Sequence, residues 1–206
     1  MTAALVEPML SEEDVPPEEK PSWEYLLSAW RELDAPEGWL VEIDEGHIAV
    51  VPPPHAHHNH IAAKVQRALY RSLSEELEIY QTLGIHITPL DRLYVPDLVV
   101  VPSELVSSAA PDSTDPVDAA EALLVAEITS RGNAKDDRDK KLRAYATAPV
   151  AIYLLIDRFD PHGPTTTLFS DPRKGAYASS LRVPFGEPIQ LPEPFDVKLD
   201  TSAFPV

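Results

Sequence analysis

The sequence predicts an α/β (α+β) fold in which helices flank a mixed central β-sheet. Amphipathic segments with helical spacing alternate along the chain with short apolar segments that are typical of buried strands. The 206 residues, 44% of them hydrophobic, are enough for one domain with its own core. No segment repeats at a fixed period, which argues against a solenoid.

Acidic residues are concentrated near the start of the chain. The first 45 residues contain 13 acidic and two basic side chains, whereas the remaining 161 contain 21 acidic and 15 basic ones, and the net charge of the whole chain is −17. We therefore divide the chain into an acidic tail rich in Pro and Glu, residues 1–22, and a single domain, residues 23–206.

Hydrophobic spacing and turn residues predict the individual elements. Apolar residues at helical spacing indicate a helix over 23–33 with Ser22 as its N-cap. A hairpin over 39–51 around Asp44-Glu45-Gly46 and a long helix over 55–77 follow. The remaining predicted elements are strands over 78–82, 84–88, 94–101, 122–129, 150–157, 165–169 and 187–191, a loop over 107–120, and a helix over 134–146.

The composition excludes several classes of protein. Without cysteine there are no disulfides or thiolate metal sites, and we expect a reducing compartment, by default the cytoplasm. No glycine pattern of a phosphate-binding loop or dinucleotide fold occurs. The tail lacks the regions of a signal peptide, and no window approaches the roughly 18 apolar residues that a transmembrane helix needs, so no membrane association is expected.

Two acidic residues stand out because each interrupts an apolar strand. Asp97 lies within residues 94–101 and Glu127 within residues 122–129. A buried carboxylate is costly unless a cation or another partner offsets its desolvation. Two carboxylates from neighbouring strands, with a backbone carbonyl, provide the oxygen ligands that Mg²⁺ or Mn²⁺ prefers, and such an ion activates water and polarises a phosphoryl group. The alternative is that each acid is exposed at a strand end or caps the following turn.

The helix after Glu127 is basic. Its residues Asp137, Lys141 and Tyr145 are spaced i, i+4 and so share one face, which gives Lys141 a fixed direction. A lysine beside the metal would orient water or stabilise a pentavalent phosphate. The alternative is a solvated helix face whose charges pair with one another.

The order of these motifs resembles that of a known family. The motifs are Pro96-Asp97, Glu127-Ile128-Thr129-Ser130, the helix with Asp137, Lys141 and Tyr145, and Tyr153-Leu154-Leu155-Ile156-Asp157, preceded by Val41-Glu42-Ile43-Asp44-Glu45-Gly46 and His58-x-x-Ile61. In this order they resemble the bacterial putative restriction endonuclease family of the PD-(D/E)XK nuclease superfamily, over roughly residues 23–190.

The resemblance implies a restriction endonuclease-like fold and a Mg²⁺- or Mn²⁺-dependent endonuclease that hydrolyses DNA phosphodiester bonds. It implies that Asp97 and Glu127 hold the metal and that Lys141 is the catalytic lysine. The residues implied to lie nearby are Glu42 and His58 at the mouth of the pocket, and Asp137 and Tyr145, which support the helix.

The chain departs from the superfamily pattern at Thr129, two positions after Glu127, where the pattern has a lysine. In the family this lysine is commonly displaced onto the following helix, which makes Lys141 the expected substitute and Lys140 the second choice.

Two other functions stay open. The acidic surface favours a non-cleaving protein of the same fold that acts as a binding or regulatory module, because DNA normally selects a basic surface. The histidine cluster over residues 55–60 either forms a loop or cap, contributes His58 to the acidic pocket, or supplies His57 and His60 to a metal hydrolase.

On the nuclease hypothesis, basic residues between Arg131 and Arg143 form a positive face for DNA, and a homodimer would cut both strands.

Overall fold

The computed structural model describes residues 21–206, so the predicted acidic tail lies almost entirely outside the described residues. The helices are α1 (Trp23–Glu32), α2 (Ala56–Leu69), α3 (Ser103–Ser107), α4 (Ala134–Asp136) and α5 (Leu142–Thr147). The strands are β1 (Leu40–Asp44), β2 (His47–Val51), β3 (Leu77–Tyr80), β4 (Ile85–Ile87), β5 (Arg92–Tyr94), β6 (Leu98–Pro102), β7 (Val117–Asp118), β8 (Leu124–Ile128), β9 (Ile152–Asp157), β10 (Thr165–Arg173), β11 (Ala176–Pro184), β12 (Ile189–Leu191) and β13 (Val197–Leu199). None of these helices is long and apolar enough to cross a membrane.

The larger sheet contains six strands in the order β11-β10-β9-β8-β6-β3. Strands β8 and β9 are parallel, and the other neighbouring pairs are antiparallel. The sheet is therefore mixed, and the predicted α+β fold class is confirmed.

Apolar side chains cover both faces of this sheet. Leu98, Leu124 and Leu154 pack on one face with α2, whereas Val99, Val125 and Tyr153 pack on the other face with α5. A strand buried on both faces has a continuous apolar sequence, which is why these strands were recognisable as apolar runs.

A smaller sheet has the order β2-β1-β5-β4-β7. Its hairpin β1–β2 turns at Glu45 and Gly46, whose φ angles of 51° and 87° are both positive. Two consecutive positive φ angles match the right-handed twist of hairpin strands, and glycine adopts the second at no steric cost. Helix α1 packs on this sheet, and the side chain of Ser22 accepts a hydrogen bond from the backbone N–H of Tyr25, as predicted for the N-cap.

Several predicted elements differ from the observed ones: the loop predicted over 107–120 contains β7, the strand predicted over 165–169 extends to Arg173, and three larger differences concern the site. The strand predicted over 94–101 is interrupted: β5 ends at Tyr94, and β6 begins at Leu98 in the other sheet, because Pro96 has no N–H to continue a ladder. The long helix ends at Leu69 rather than residue 77. The helix over 134–146 contains a π-helical turn, Asp137–Lys141, between α4 and α5.

Candidate active site

The register of β6 and β8 brings Asp97 and Glu127 together. Leu98 pairs with Ala126 in this antiparallel ladder, so the next residues outward, Asp97 and Glu127, are opposite each other and on the same face. The backbone N–H of Ile128 donates to Oδ2 of Asp97 over 2.7 Å. Asp97 is half-buried and immediately precedes β6, whereas Glu127 is only 3% exposed inside β8.

Lys141 reaches this pair from the π-helical turn. Its Nζ donates to Oε1 of Glu127 over 3.1 Å and to Oε1 of Glu42 over 2.9 Å. The hydroxyl of Tyr145 donates to the same Glu127 oxygen over 2.6 Å. The side chains of Lys141 and Tyr145 therefore converge on one carboxylate oxygen, and a π turn is a common way to adjust a helix at a functional site.

Glu42 and His58 contact the cluster directly. Oε1 of Glu42, on β1, also accepts from the backbone N–H of Val95 over 3.0 Å, so this carboxylate links the smaller sheet to the helix that carries Lys141. Nε2 of His58, on α2, lies 2.9 Å from Oδ2 of Asp97. Because a carboxylate only accepts, Nε2 is the donor of this hydrogen bond.

Asp137 is fully buried, and neither of its carboxylate oxygens has a hydrogen-bond partner among the described residues. Nζ of Lys141 is 4.0 Å from Oδ1 of Asp137. Burial, reinforced by the negative charge of Glu127, raises the pKa of Asp137 well above its ordinary value. Burying this carboxylate without a hydrogen bond has a cost in desolvation, which the nearby ammonium group of Lys141 offsets in part.

Burial and neighbouring charges shift the other ionisable groups. Burial raises the pKa of Glu127 to about 7, although the charge of Lys141 opposes the increase. Burial alone lowers the pKa of Lys141, but the carboxylates of Glu127 and Glu42 outweigh it, so the pKa of Lys141 lies well above its usual range. The lysine is thus a cation held between two acids.

A second polar network lies beside the first, and sequence reasoning missed it. Arg138 donates two hydrogen bonds to Asp157, from Nε over 2.6 Å and from Nη2 over 2.9 Å. The hydroxyl of Thr129 donates to Oδ1 of Asp157 over 3.1 Å, so Thr129 turns away from the lysine cluster. The available signal was Asp157 at the end of an apolar strand, the same signal that identified Glu127.

The remaining candidates lie apart from the carboxylate pair. Nζ of Lys140 lies 3.5 Å from Oδ2 of Asp44 and 3.5 Å from Oε2 of Glu45. His57 and His60 are exposed. The positive face predicted between residues 131 and 143 is also reduced, because Arg138 and Lys140 are engaged in ion pairs.

The donor set fits a hard divalent cation. Oδ1 of Asp97 and Oε2 of Glu127 have no protein hydrogen bond within residues 21–206, so each carboxylate retains a ligand oxygen. In the same residues, no three His, Asp or Glu side chains converge as a complete metal-ligand group. Mg²⁺ is commonly bound through only one or two carboxylates together with water and substrate phosphate, so two carboxylates suffice for it.

This fold is also found in a protein of known crystal structure. The chain is similar to a protein from Anabaena variabilis whose crystal structure is described as that of a putative nuclease belonging to DUF820, with a TM-score of 0.63 and 16% sequence identity over 82% of this chain and 90% of that one. The similarity shows that the two proteins share a fold.

The family model of Uma2, described as "Putative restriction endonuclease", matches residues 24–202. The chain belongs to this family, as the order of its motifs predicts. No curated protein matches the sequence.

Proposed function

We propose that this protein is a Mg²⁺- or Mn²⁺-dependent endonuclease that hydrolyses DNA phosphodiester bonds. One observation carries the proposal: Lys141, from the helix, lies 3.1 Å from Glu127, and Glu127 stands opposite Asp97 in the sheet. Two acids and a lysine in this arrangement have the charges that phosphoryl transfer requires. The family and the fold support the nuclease class.

Each residue has a distinct task in this proposal. Asp97 and Glu127 would hold the divalent ion, which supplies Lewis-acid polarisation of the phosphoryl group and activation of water. Lys141 would orient the attacking water and stabilise negative charge on the phosphate. Glu42 and Tyr145 would fix Lys141 and Glu127, and His58 would orient the carboxylate of Asp97 through its 2.9 Å contact.

A cleavage assay tests the proposal. Plasmid and single-stranded DNA are incubated with Mg²⁺ or Mn²⁺ and with wild type, Asp97→Asn, Lys141→Ala and the matched control Lys140→Ala, all purified identically. Cutting that requires metal, disappears in the first two variants and persists in Lys140→Ala supports the proposal. Equal cutting by all variants would show a contaminating nuclease and contradict it.

A non-cleaving binding or regulatory module is the second candidate, because the chain has a net charge of −17 and Lys141 is tied by two ion pairs. Calorimetric titration with Mg²⁺ or Mn²⁺ separates the two functions. Metal binding that Asp97→Asn abolishes favours the enzyme, and absence of binding together with absence of cutting favours the module.

The proposal includes a homodimer acting in the cytoplasm. In a symmetric dimer, each of the two subunits would cut one strand of a duplex. Strand β2 is an edge of the smaller sheet, and its Val50 is exposed, which provides a surface for a second copy. Light scattering after size exclusion would give a mass of two chains if this is correct and of one chain if it is not.

A further inference from the structure

Two arginines lie close together at the strand ends beside the candidate site. Arg131 follows β8 and Arg158 follows β9, and these two strands are parallel neighbours. Both guanidinium groups stack on the ring of Phe159, at 4.9 Å and 5.3 Å from its centroid. Both guanidinium groups therefore contact the same aromatic ring.

No carboxylate in the described part of the chain lies within ion-pair distance of these two arginines. Within residues 21–206 neither arginine forms an ion pair, and Nε of Arg158 is buried without a hydrogen-bond partner. The nearby carboxylate of Asp157 is already used by Arg138. Burial and the charge of Arg131 both lower the pKa of Arg158, which reflects the repulsion that the protein tolerates here.

The backbone beneath the arginines is firmly held. The N–H of Arg158 donates to the hydroxyl of Thr129 over 3.0 Å, and the N–H of Phe159 donates to Oδ1 of Asp157 over 3.0 Å. Nη2 of Arg138 donates to the carbonyl of Phe159 over 2.7 Å. Two like charges on a rigid support are pre-organised for an anion that would offset their repulsion.

Helix α2 connects the arginine pair to the carboxylate site. Nη2 of Arg158 lies 3.3 Å from Nδ1 of His57, and the next residue, His58, contacts Asp97. Adjacent residues of α2 thus contact the arginine pair and the carboxylate site. Residues 46–74, which include this helix, contain no Asp or Glu.

We infer that Arg131 and Arg158 form a clamp for a phosphate group of the DNA backbone and hold the strand beside the Asp97–Glu127 pair. This inference rests on the proposed function for the identity of the anion. The clamp binds and positions the substrate, and the bond cleavage belongs to the carboxylate site. The planar, bidentate geometry of guanidinium groups suits phosphate oxygens better than the point charge of a lysine does.

The test is DNA binding without catalysis. The affinity of a fluorescein-labelled duplex is measured by anisotropy in EDTA, from 50 to 200 mM salt, for wild type, Arg131→Ala, Arg158→Ala and Arg158→Lys. Arg173→Ala, on the β10–β11 hairpin, removes the same charge from a distant surface and is the control. Melting temperatures check that every variant is folded.

We expect each alanine variant to lose about tenfold in affinity. The slope of log affinity against log salt should fall by about 0.9 for each lost phosphate contact, while Arg173→Ala behaves as wild type. Arg158→Lys should retain the slope and lose part of the affinity. Unchanged slopes in both alanine variants, or no binding by wild type, would overturn the clamp.

Different results would contradict the arginine clamp and the proposed nuclease activity. If wild type cuts DNA with metal but the alanine variants bind and cut as well as it does, the nuclease stands and the clamp is wrong. If wild type binds through both arginines in EDTA but never cuts with metal, the clamp stands and the nuclease proposal is wrong.

Discussion

Nζ of Lys141 is 3.1 Å from Oε1 of Glu127, although 14 positions separate the two residues in the chain. The PD-(D/E)XK pattern, which the sequence resembles, places the lysine two residues after the acid, where this chain has Thr129. The hydroxyl of Thr129 donates to Asp157, and the cation beside Glu127 comes from the helix instead.

Replacing Lys141 with Met removes the countercharge of two buried acids. We expect a loss of about 3 kcal/mol in the free energy of unfolding at pH 8. The loss should shrink toward pH 5, because Glu127 without its cation has a still higher folded pKa, and the stability of such an acid is retained at low pH and lost as pH rises. Urea denaturation at several pH values measures this. Lys140→Met is the control, and an equal loss at all pH values would contradict the electrostatic cause.

The pKa of Glu127 should also govern metal binding. Burial raises this pKa from 4.5 to about 7, and a metal ligand must be deprotonated. The affinity for Mn²⁺ should therefore rise by up to about tenfold per pH unit below 7 and level off above it. Calorimetry in buffers of different ionisation enthalpy would detect the released proton. An affinity that does not vary between pH 5.5 and 8 would exclude Glu127 as the titrating ligand.

In the metal-free protein, the raised pKa of Glu127 also makes folding stability depend on pH. Stability falls as pH rises, whereas metal affinity increases. A raised carboxyl pKa contributes stability below its unfolded pKa of 4.5 and loses it as pH rises through about 7. The free energy of unfolding should fall over this interval in wild type and fall less in Glu127→Gln. Parallel curves for the two proteins would contradict the shift.

Tyr145→Phe tests the hydrogen bond to Glu127. The hydroxyl of Tyr145 lowers the pKa of Glu127, so its removal should raise that pKa and move the acidic limb of the cleavage profile to higher pH. Tyr153→Phe is a matched control, because that hydroxyl donates to the backbone carbonyl of Asp137 instead. A shift of equal size in both variants would indicate a general loosening of the helix.

Arg138→Ala should weaken the attachment of the helix that carries Lys141. The change leaves Asp157 buried without its bidentate partner, and we expect a loss of about 2 kcal/mol in unfolding free energy. Arg143→Ala removes an exposed arginine nearby and should change stability by less than about 0.5 kcal/mol. Chemical denaturation compares them, and equal losses would assign no role to the Asp157 contact.

The sequence predicted the parts of the site that depend on local signals. Asp97 and Glu127 were recognisable because each interrupts an apolar segment, and Lys141 because of its helical spacing. The contacts among these three side chains, in contrast, depend on strand register and on how the helix docks on the sheet. The bond from Lys141 to Glu42 joins residues 99 positions apart, and no local pattern encodes such a contact.

The missed features have two origins: one local signal was overlooked, and the other features leave no mark in the local sequence. Pro96 separates two sheets, but hydrophobicity alone made residues 94–101 look like one strand. The side chain of Thr129 was noticed only as the wrong residue for catalysis, because its partner Asp157 comes from a distant strand. The π-helical turn has no signature in the spacing of its charges.

The contact of Glu42 with Lys141 across 99 positions has a consequence during synthesis. A nascent or truncated chain that ends between residues 137 and 140 carries all the acids of the proposed site but not the lysine. Such a fragment would have no complete catalytic centre. Any nuclease activity would then arise only after the helix has emerged from the ribosome and docked on the sheet, three of whose strands, β9, β10 and β11, are synthesised later still.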